Sequence, residues 1–368
     1  MKGCDIIGTY GTIYNMEVKE NNMQKPFKIL CIDGGGIKGI FSAQVLAEFE
    51  EAFGSLTSEH FDLVCGTSTG GIIALGVAAG IPMKDVVGFY VENGPRIFAH
   101  RKKLWGHLEW LMILKQALVW SKYSDKELRK SLEKVFKDKT IGQSQNLLCI
   151  PAFNITSSTP RIFKKDYGHL NQDDSKTFVE VALATSAAPT YFPIQEIDHV
   201  QYVDGGIYAN NPVLVALTEA VFKGYWIKPK ANRGEDDFDG VQILSISSCV
   251  LPSGDFAGFK RRSFVKWIKT LFDAYSNGQS KSDLFFIEQI KSHLDFEVNI
   301  KRVENAPLSC IQAQRVSMDK VGKSSMSILQ GLGRIVGNNA KNDEVVKQLY
   351  NENKTIDVTK LKTEENGK

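Results

Sequence analysis

The stretch FDLVCGTSTGGIIALG, residues 61–76, constrains this chain more than any other. It sets Ser68 between Gly66 and Gly70 in a Gly-x-Ser-x-Gly spacing. The short apolar run before the motif has the pattern of a buried strand, and the small residues after it continue as a helix. A chain that turns this sharply from strand to helix needs glycines beside the turn, because side chains there would clash. The serine then stands at the turn itself. A plain glycine turn is the other reading of the same spacing.

The rest of the chain repeats the strand-then-helix order. FKILCID, 27–33, is an apolar run that stops at glycines, and residues 40–53 carry apolar positions at helical spacing. Pro82 opens a further helical stretch to about Tyr90. Residues 124–136 form an amphipathic pattern, with Ser124 and Glu127 placed as a capping box. NLLCIPAFNIT, 146–156, and PRIFKK, 160–165, read as neighbouring strands. Residues 176–188 read as a helix ended by Pro189, and 200–206 as a strand running into a glycine turn. Residues 212–222 read as a helix with proline at its first position. A polar loop, 228–240, precedes the last core strand, 241–248. Strands alternating with helices predict an α/β layered fold with a largely parallel sheet.

The expected organisation is an N-terminal tail over 1–26, with Met16 or Met23 as alternative starts. A single core over 27–250 follows, then a mainly helical part over 251–350 packed on it, and a tail over 351–368. There is no internal repeat. The formal net charge of +3 is too small to argue for a nucleic-acid partner, though it permits contact with an anionic surface. The six cysteines show no paired spacing, and Cys31, Cys65, Cys149 and Cys249 lie in apolar runs. They read as buried thiols of a reducing compartment rather than as disulfides or a zinc site. No apolar leader opens the chain, so a soluble cytoplasmic protein is expected.

Two stretches are candidates for lipid contact. Residues 104–120 hold Trp105, Trp110 and Trp120, but the stretch is shorter than a membrane span and carries Glu109 and Lys115. It reads as core packing or as a lid. FKRRSFVKWIKTLF, 259–272, is basic and amphipathic, which suits either an anionic bilayer surface or a helix packed on the core.

A second glycine cluster, DGGGIKG at 33–39, also lies between a strand and a helix. The N–H groups of Gly34, Gly35 and Gly36 would be free to meet negative charge. The spacing does not match the phosphate-binding loops Gly-x-x-x-x-Gly-Lys-Ser/Thr or Gly-x-Gly-x-x-Gly. It fits an oxyanion hole better, where each donor is worth about 10²–10³ in kcat; a tight strand–helix turn is the alternative. A serine nucleophile needs a base. Of the six histidines only His293 lies late in the chain, in a polar segment that reads as a surface helix. An acid is better placed. Asp204, in YVDGGIYANNP, stands at a strand end before Gly205 and Gly206. It is either an Asx-turn or the base for Ser68. No acidic loop of calcium-binding kind is present, and no metal is expected.

DGGGIKG, GTSTG and DGG, in this order, resemble the patatin-like phospholipases over roughly residues 27–250. The resemblance implies a three-layer α/β fold and a Ser–Asp dyad of Ser68 and Asp204. It implies oxyanion N–H groups from Gly34, Gly35, Gly36 and Ile37. Asp33, Lys38, Gly39, Gly66, Gly70, Gly205 and Gly206 support the motifs. Lys38 stands where many members have arginine, which keeps the charge but loses a planar fork. ATSAAPTYFP, 184–193, is also typical of the family, and its prolines are expected to shape the pocket wall. FKILCIDGGGIKGIFSAQVL, VENGPRIF and ILQGLGRIVG are similar to bacterial antiphage effectors of this family. In that subgroup a cyclic dinucleotide such as 3′,3′-cyclic GMP–AMP activates a phospholipase that degrades the cell's own membrane. The resemblance therefore implies membrane phospholipid as substrate and peripheral contact with the bacterial inner membrane. A homo-oligomer is compatible with it, and the sequence does not give the oligomeric state.

Overall fold

The computed structural model describes residues 23–99, 121–251 and 264–361, with the side chains of 264–273 and 310 outside that description. Its strands are β1 (Pro26–Ile32), β2 (Leu63–Gly66), β3 (Leu147–Asn154), β4 (Thr159–Lys164), β5 (Gln195–Ile197), β6 (Val200–Asp204), β7 (Gly240–Ile246) and β8 (Glu297–Val303). Its helices are α1 (Gly39–Phe53), α2 (Thr69–Ala78), α3 (Met83–Ile97), α4 (Lys126–Phe136), α5 (Phe178–Thr185), α6 (Val213–Ala220), α7 (Phe264–Ile290), α8 (Cys310–Arg315), α9 (Lys323–Ala340) and α10 (Glu344–Asn351).

The strands form one sheet in the order β5-β6-β3-β2-β1-β7-β8, with β4 paired to β3. β3, β2, β1, β7 and β8 run parallel to one another, while β4, β5 and β6 run against their partners. β1 is buried at every position, as a strand must be when both faces are covered. Its residues alternate between two apolar layers. Leu30 and Ile32 join the layer of α1, α2 and α3. Phe27, Ile29 and Cys31 join the layer of α6 and the C-terminal part of α7. The fold is thus a three-layer α/β arrangement.

β3 uses one edge twice. Its residues Leu147–Cys149 pair with β2, and Ala152–Asn154 pair with β6. β4 occupies the opposite edge, since Cys149 faces both Cys65 and Lys164, and Ala152 faces both Asp204 and Arg161. β2 runs parallel to β3 and β6 antiparallel to it. The C-terminal ends of β2 and β6 therefore point at each other along one edge, separated by Ile150 and Pro151.

Several local expectations are corrected. The sheet does not end at 241–248: β8 adds to β7 in parallel from Gly240 to Ile246. Its residues are mostly half-buried, so it lacks the apolar run of a central strand. The Ser124–Glu127 capping box does not form. α4 starts one residue later, behind Asp125, which puts Glu127 in the second helical position and out of reach. α5 ends at Thr185, four residues before Pro189, and Pro212 precedes α6 rather than beginning it. The described ends are not loose tails. Gln24 N–H donates to Asp239, the N–H groups of Thr355 and Ile356 donate to Asp62, and Ile356 and Val358 are buried.

Cys31, Cys65, Cys149 and Cys249 are buried free thiols. No described helix is long and apolar enough to cross a membrane. Residues 104–120 lie outside the described residues. So do 259–263, while 264–272 are described only as backbone of α7.

Candidate active site

Ser68 follows β2 by two residues, with φ 56° and ψ −124°. A non-glycine residue held there stores roughly 1–3 kcal/mol of strain. The turn is over-determined by three threonine side chains. Thr67 Oγ1 donates to Ala209 O at 2.6 Å. Ser68 N–H donates to Thr185 Oγ1 at 2.9 Å, and that hydroxyl donates to Pro151 O at 2.6 Å. Thr69 Oγ1 donates to Gly36 O at 2.8 Å. Gly66 closes β2, and Gly70 lies so near the end of β1 that a Cβ there would collide with the Ile32 carbonyl.

Asp204 is the last residue of β6, and it meets Ser68 across the gap on the β3 edge. Ser68 Oγ donates to Asp204 Oδ2 at 2.6 Å. The other oxygen, Oδ1, accepts the Gly206 N–H at 2.7 Å, and Gly205 and Gly206 open the short turn that follows. The carboxyl is fully buried. Burial pushes it up to about 7, against the opposing pull of the Ser68 and Gly206 donors. Near neutral pH a substantial fraction is ionised and able to take a proton from the hydroxyl.

No histidine among the described residues has a hydrogen bond to either group. His60 bonds Ser55 and the Glu352 carbonyl. His169 lies against Tyr225 and Lys223, His199 is exposed, and His293 neighbours Ser292 in a short turn after α7.

The glycine cluster lies against the serine. A Cβ at Gly34 would sit 3.2 Å from Ser68 Cβ and 2.7 Å from Asn210 Oδ1. The expected set of four N–H donors is narrower here. Gly34 N–H is spent on Asn210 O at 3.0 Å and Ile37 N–H on Met318 O at 2.8 Å. The N–H groups of Gly35 and Gly36 have no acceptor among the described residues. Gly39 begins α1, and Lys38 before it is buried.

Asp33, at the base of the cluster, is held by a residue the sequence did not suggest. Arg302, near the end of β8, donates through Nη1 to Asp33 Oδ1 at 2.9 Å and through Nη2 to Oδ2. It also bonds Ser245 Oγ at 2.7 Å and Glu304. Burial pushes the Asp33 carboxyl up, and the guanidinium opposes this. Thr185 and Asn210 were likewise missed as parts of the site. From the stretch 184–193 it is Thr185, not a proline, whose hydrogen bonds reach Ser68. Tyr191 and Phe192 pack beside Tyr123, and Phe192 also packs on Phe98. Among the described residues no group of three or more His, Cys, Asp or Glu side chains is arranged to hold a metal.

A serine hydroxyl bonded to a buried carboxylate, beside two free N–H groups, is the equipment of acyl transfer without histidine. A family model described as patatin-like phospholipase matches residues 30–217. The cGAMP-activated phospholipase of Pseudomonas aeruginosa is 32% identical over 79% of this chain and 84% of its own length. Its namesake from Vibrio cholerae is 27% identical over 85% of this chain and 91% of its own. Patatin-like protein 1 of Arabidopsis thaliana is 34% identical over 83% and 80%. The chain belongs to the patatin-like phospholipase family.

Proposed function

We propose that Ser68 and Asp204 hydrolyse the ester bonds of membrane phospholipids, releasing fatty acids and lysophospholipids. The observation that carries this is the 2.6 Å hydrogen bond from Ser68 Oγ to a fully buried carboxyl. A carboxylate of ordinary pKa, near 4, is a weak base toward a hydroxyl. Raised to about 7, it holds a proton about as well as a histidine.

Asp204 Oδ2 takes the Ser68 proton as Oγ attacks the ester carbonyl carbon. The carbonyl oxygen becomes an oxyanion, which the Gly35 and Gly36 N–H groups stabilise. The tetrahedral intermediate collapses, the lysophospholipid leaves as an alcohol with the proton from Asp204, and the acyl group stays on Ser68. Asp204 then takes a proton from water, which attacks the acyl-enzyme; as the Oγ–acyl bond breaks, Asp204 returns the proton to Ser68 Oγ and the fatty acid leaves. Thr185 and Thr67 hold the Ser68 turn in its strained conformation throughout.

We further propose that a cyclic dinucleotide, 3′,3′-cyclic GMP–AMP or a relative, switches the enzyme on, and that it acts peripherally at the bacterial inner membrane. The names of the Pseudomonas and Vibrio relatives support this reading, and this chain spans most of each. Fatty-acid release from vesicles of bacterial phospholipid tests both parts. Release is expected with cyclic GMP–AMP, and is expected to be lost in Ser68→Ala and Asp204→Asn. Equal release without nucleotide would make the enzyme an unregulated lipid acyl hydrolase. Undiminished release in Asp204→Asn would remove the dyad.

A further inference from the structure

Between α8 and α9 the chain runs through residues 316–322 without helix or strand. Val316 and Met318 are buried there. A segment with no ladder of its own is placed by individual contacts. One of them reaches the glycine cluster: the Met318 carbonyl accepts the Ile37 N–H at 2.8 Å. The Gly36 carbonyl, at the other end of the same peptide group, accepts the Thr69 hydroxyl at 2.8 Å. That group is planar, so a bond at each end fixes its rotation. Gly36 has φ 60°, and a Cβ on it would collide with the Met318 oxygen. Met318 therefore holds the outer side of the loop that carries the free Gly36 N–H.

The Met318 carbonyl belongs to the peptide group shared with Asp319, so whatever fixes Asp319 also orients that carbonyl. Asp319 Oδ2 accepts from Lys122 Nζ, and from the Tyr123 hydroxyl at 3.0 Å. Its Oδ1 accepts the Ser317 hydroxyl at 3.1 Å. Burial pushes the Asp319 carboxyl up, but the bond from Lys122 outweighs this and holds it below the ordinary carboxylate range. The Lys122 ammonium also lies over the rings of Tyr123 and Tyr191, 5.2 and 5.5 Å from their centroids. The N–H groups of Lys122 and Tyr123 donate to the carbonyls of Thr190 and Tyr191 at 2.9 and 2.8 Å. Five residues before Thr190 stands Thr185, whose hydroxyl holds the Ser68 N–H.

We propose that Asp319 is a further positioning residue for acyl transfer, its carboxylate clasped by Lys122 and Tyr123 so that the Met318 carbonyl keeps the oxyanion loop in place. The clasp joins the two halves of the site. Thr185 and Ser68 lie on one side of it, and Gly36 and Ile37 on the other. Asp319 has no bond to Ser68 or Asp204 and works through two peptide groups. Loss of the clasp leaves the Ser68–Asp204 hydrogen bond intact and lets the Gly36 N–H drift from the oxyanion. The inference rests on the reading that the Gly35 and Gly36 N–H groups stabilise the oxyanion formed at Ser68.

Steady-state hydrolysis of a soluble ester by the full chain, with cyclic GMP–AMP present, tests this beside inhibition by a trifluoromethyl ketone. Ser68 Oγ adds to the ketone carbonyl, its proton passes to Asp204, and the adduct carries the oxyanion that the ester only passes through. Asp319→Ala and Lys122→Met should each lower kcat about tenfold with KM little changed. Ketone affinity should fall by the same factor, because the adduct uses the same N–H groups. The double variant should lose no more than either single, since both remove one contact. Lys122→Arg should lose less than Lys122→Met. Tyr123→Phe removes only a hydroxyl, keeps the test open if Asp319→Ala does not fold, and should lower kcat about twofold. Wild-type kcat in Lys122→Met and Tyr123→Phe, or a loss of kcat with ketone affinity unchanged, overturns the proposal. Turnover retained in Ser68→Ala would instead overturn the reading on which it rests.

Discussion

Ser68 and Asp204 each carry a local cost. The serine backbone is strained at φ 56°, and the carboxyl is buried with no cation bonded to it among the described residues. Such costs persist where the surrounding structure enforces them and the chemistry uses them. The raised carboxyl makes a two-part prediction. Only ionised Asp204 can accept the Ser68 proton, so kcat/KM on a soluble ester should rise with pH through about 7 and level above it. Stability should move the other way. The folded state holds this proton to higher pH than the unfolded chain, whose carboxyl titrates near 4. The contribution is therefore fully present below about 4 and lost as pH rises through about 7. A pH–rate profile and urea unfolding at several pH values check both signs. In Asp204→Asn the rate should fall by about 10²–10⁴ and this pH dependence of stability should vanish.

Ser68 and Asp204 were legible as a pair because each stands in a glycine spacing that only a sharp turn explains. Arg302 was not. It lies 269 residues from Asp33, and nothing local to IKRVEN marks one of its cations as buried. Thr185 sits in an ordinary small-residue helix end, and its role appears only when Pro151 and Ser68 are brought to it. The glycine cluster was legible as a turn, but not which N–H groups stay free. That depends on Asn210 and Met318, which pack from distant segments.

At the scale of elements, the apolar runs β1, β2 and β7 declared themselves because a strand covered on both faces has nothing polar to show. β8 is half-buried, alternates polar and apolar residues, and passed as part of a helical region. Yet it carries the positioning residue of the site. Arg302 fixes Asp33, and through it the start of the glycine cluster. Arg302→Met should leave Asp33 buried and unpaired, costing about 3–5 kcal/mol of stability. It should also lower kcat about tenfold with little change in KM, because the oxyanion donors loosen while the rest of the substrate site stays. Arg302→Lys keeps charge but not the two-pronged contact, and should fall between. Pairing Arg302→Met with Asp33→Asn should recover much of the stability and little of the kcat. Urea unfolding and steady-state kinetics measure both, and an Arg302→Met variant with wild-type kcat would remove Arg302 from the site.

Across the whole molecule, the described segments after residue 250 are stitched into the sheet rather than appended to it. β8 extends the parallel ladder, and the C-terminal part of α7 shares the apolar layer of Phe27, Ile29 and Cys31. Tyr350 of α10 packs among Phe49, Phe53 and Phe61. The same topology accounts for the meeting of Ser68 and Asp204. The shared edge of β3 brings the ends of β2 and β6 together.

The central claim is that Ser68 acts with Asp204 and without histidine. Its most direct test is intact-protein mass spectrometry after reaction with an alkyl fluorophosphonate, which labels an activated serine. The expected result is a single adduct on Ser68, absent in Ser68→Ala, strongly slowed in Asp204→Asn and unchanged in His293→Ala. Labelling that is indifferent to Asp204 but lost on replacing a histidine would contradict the account.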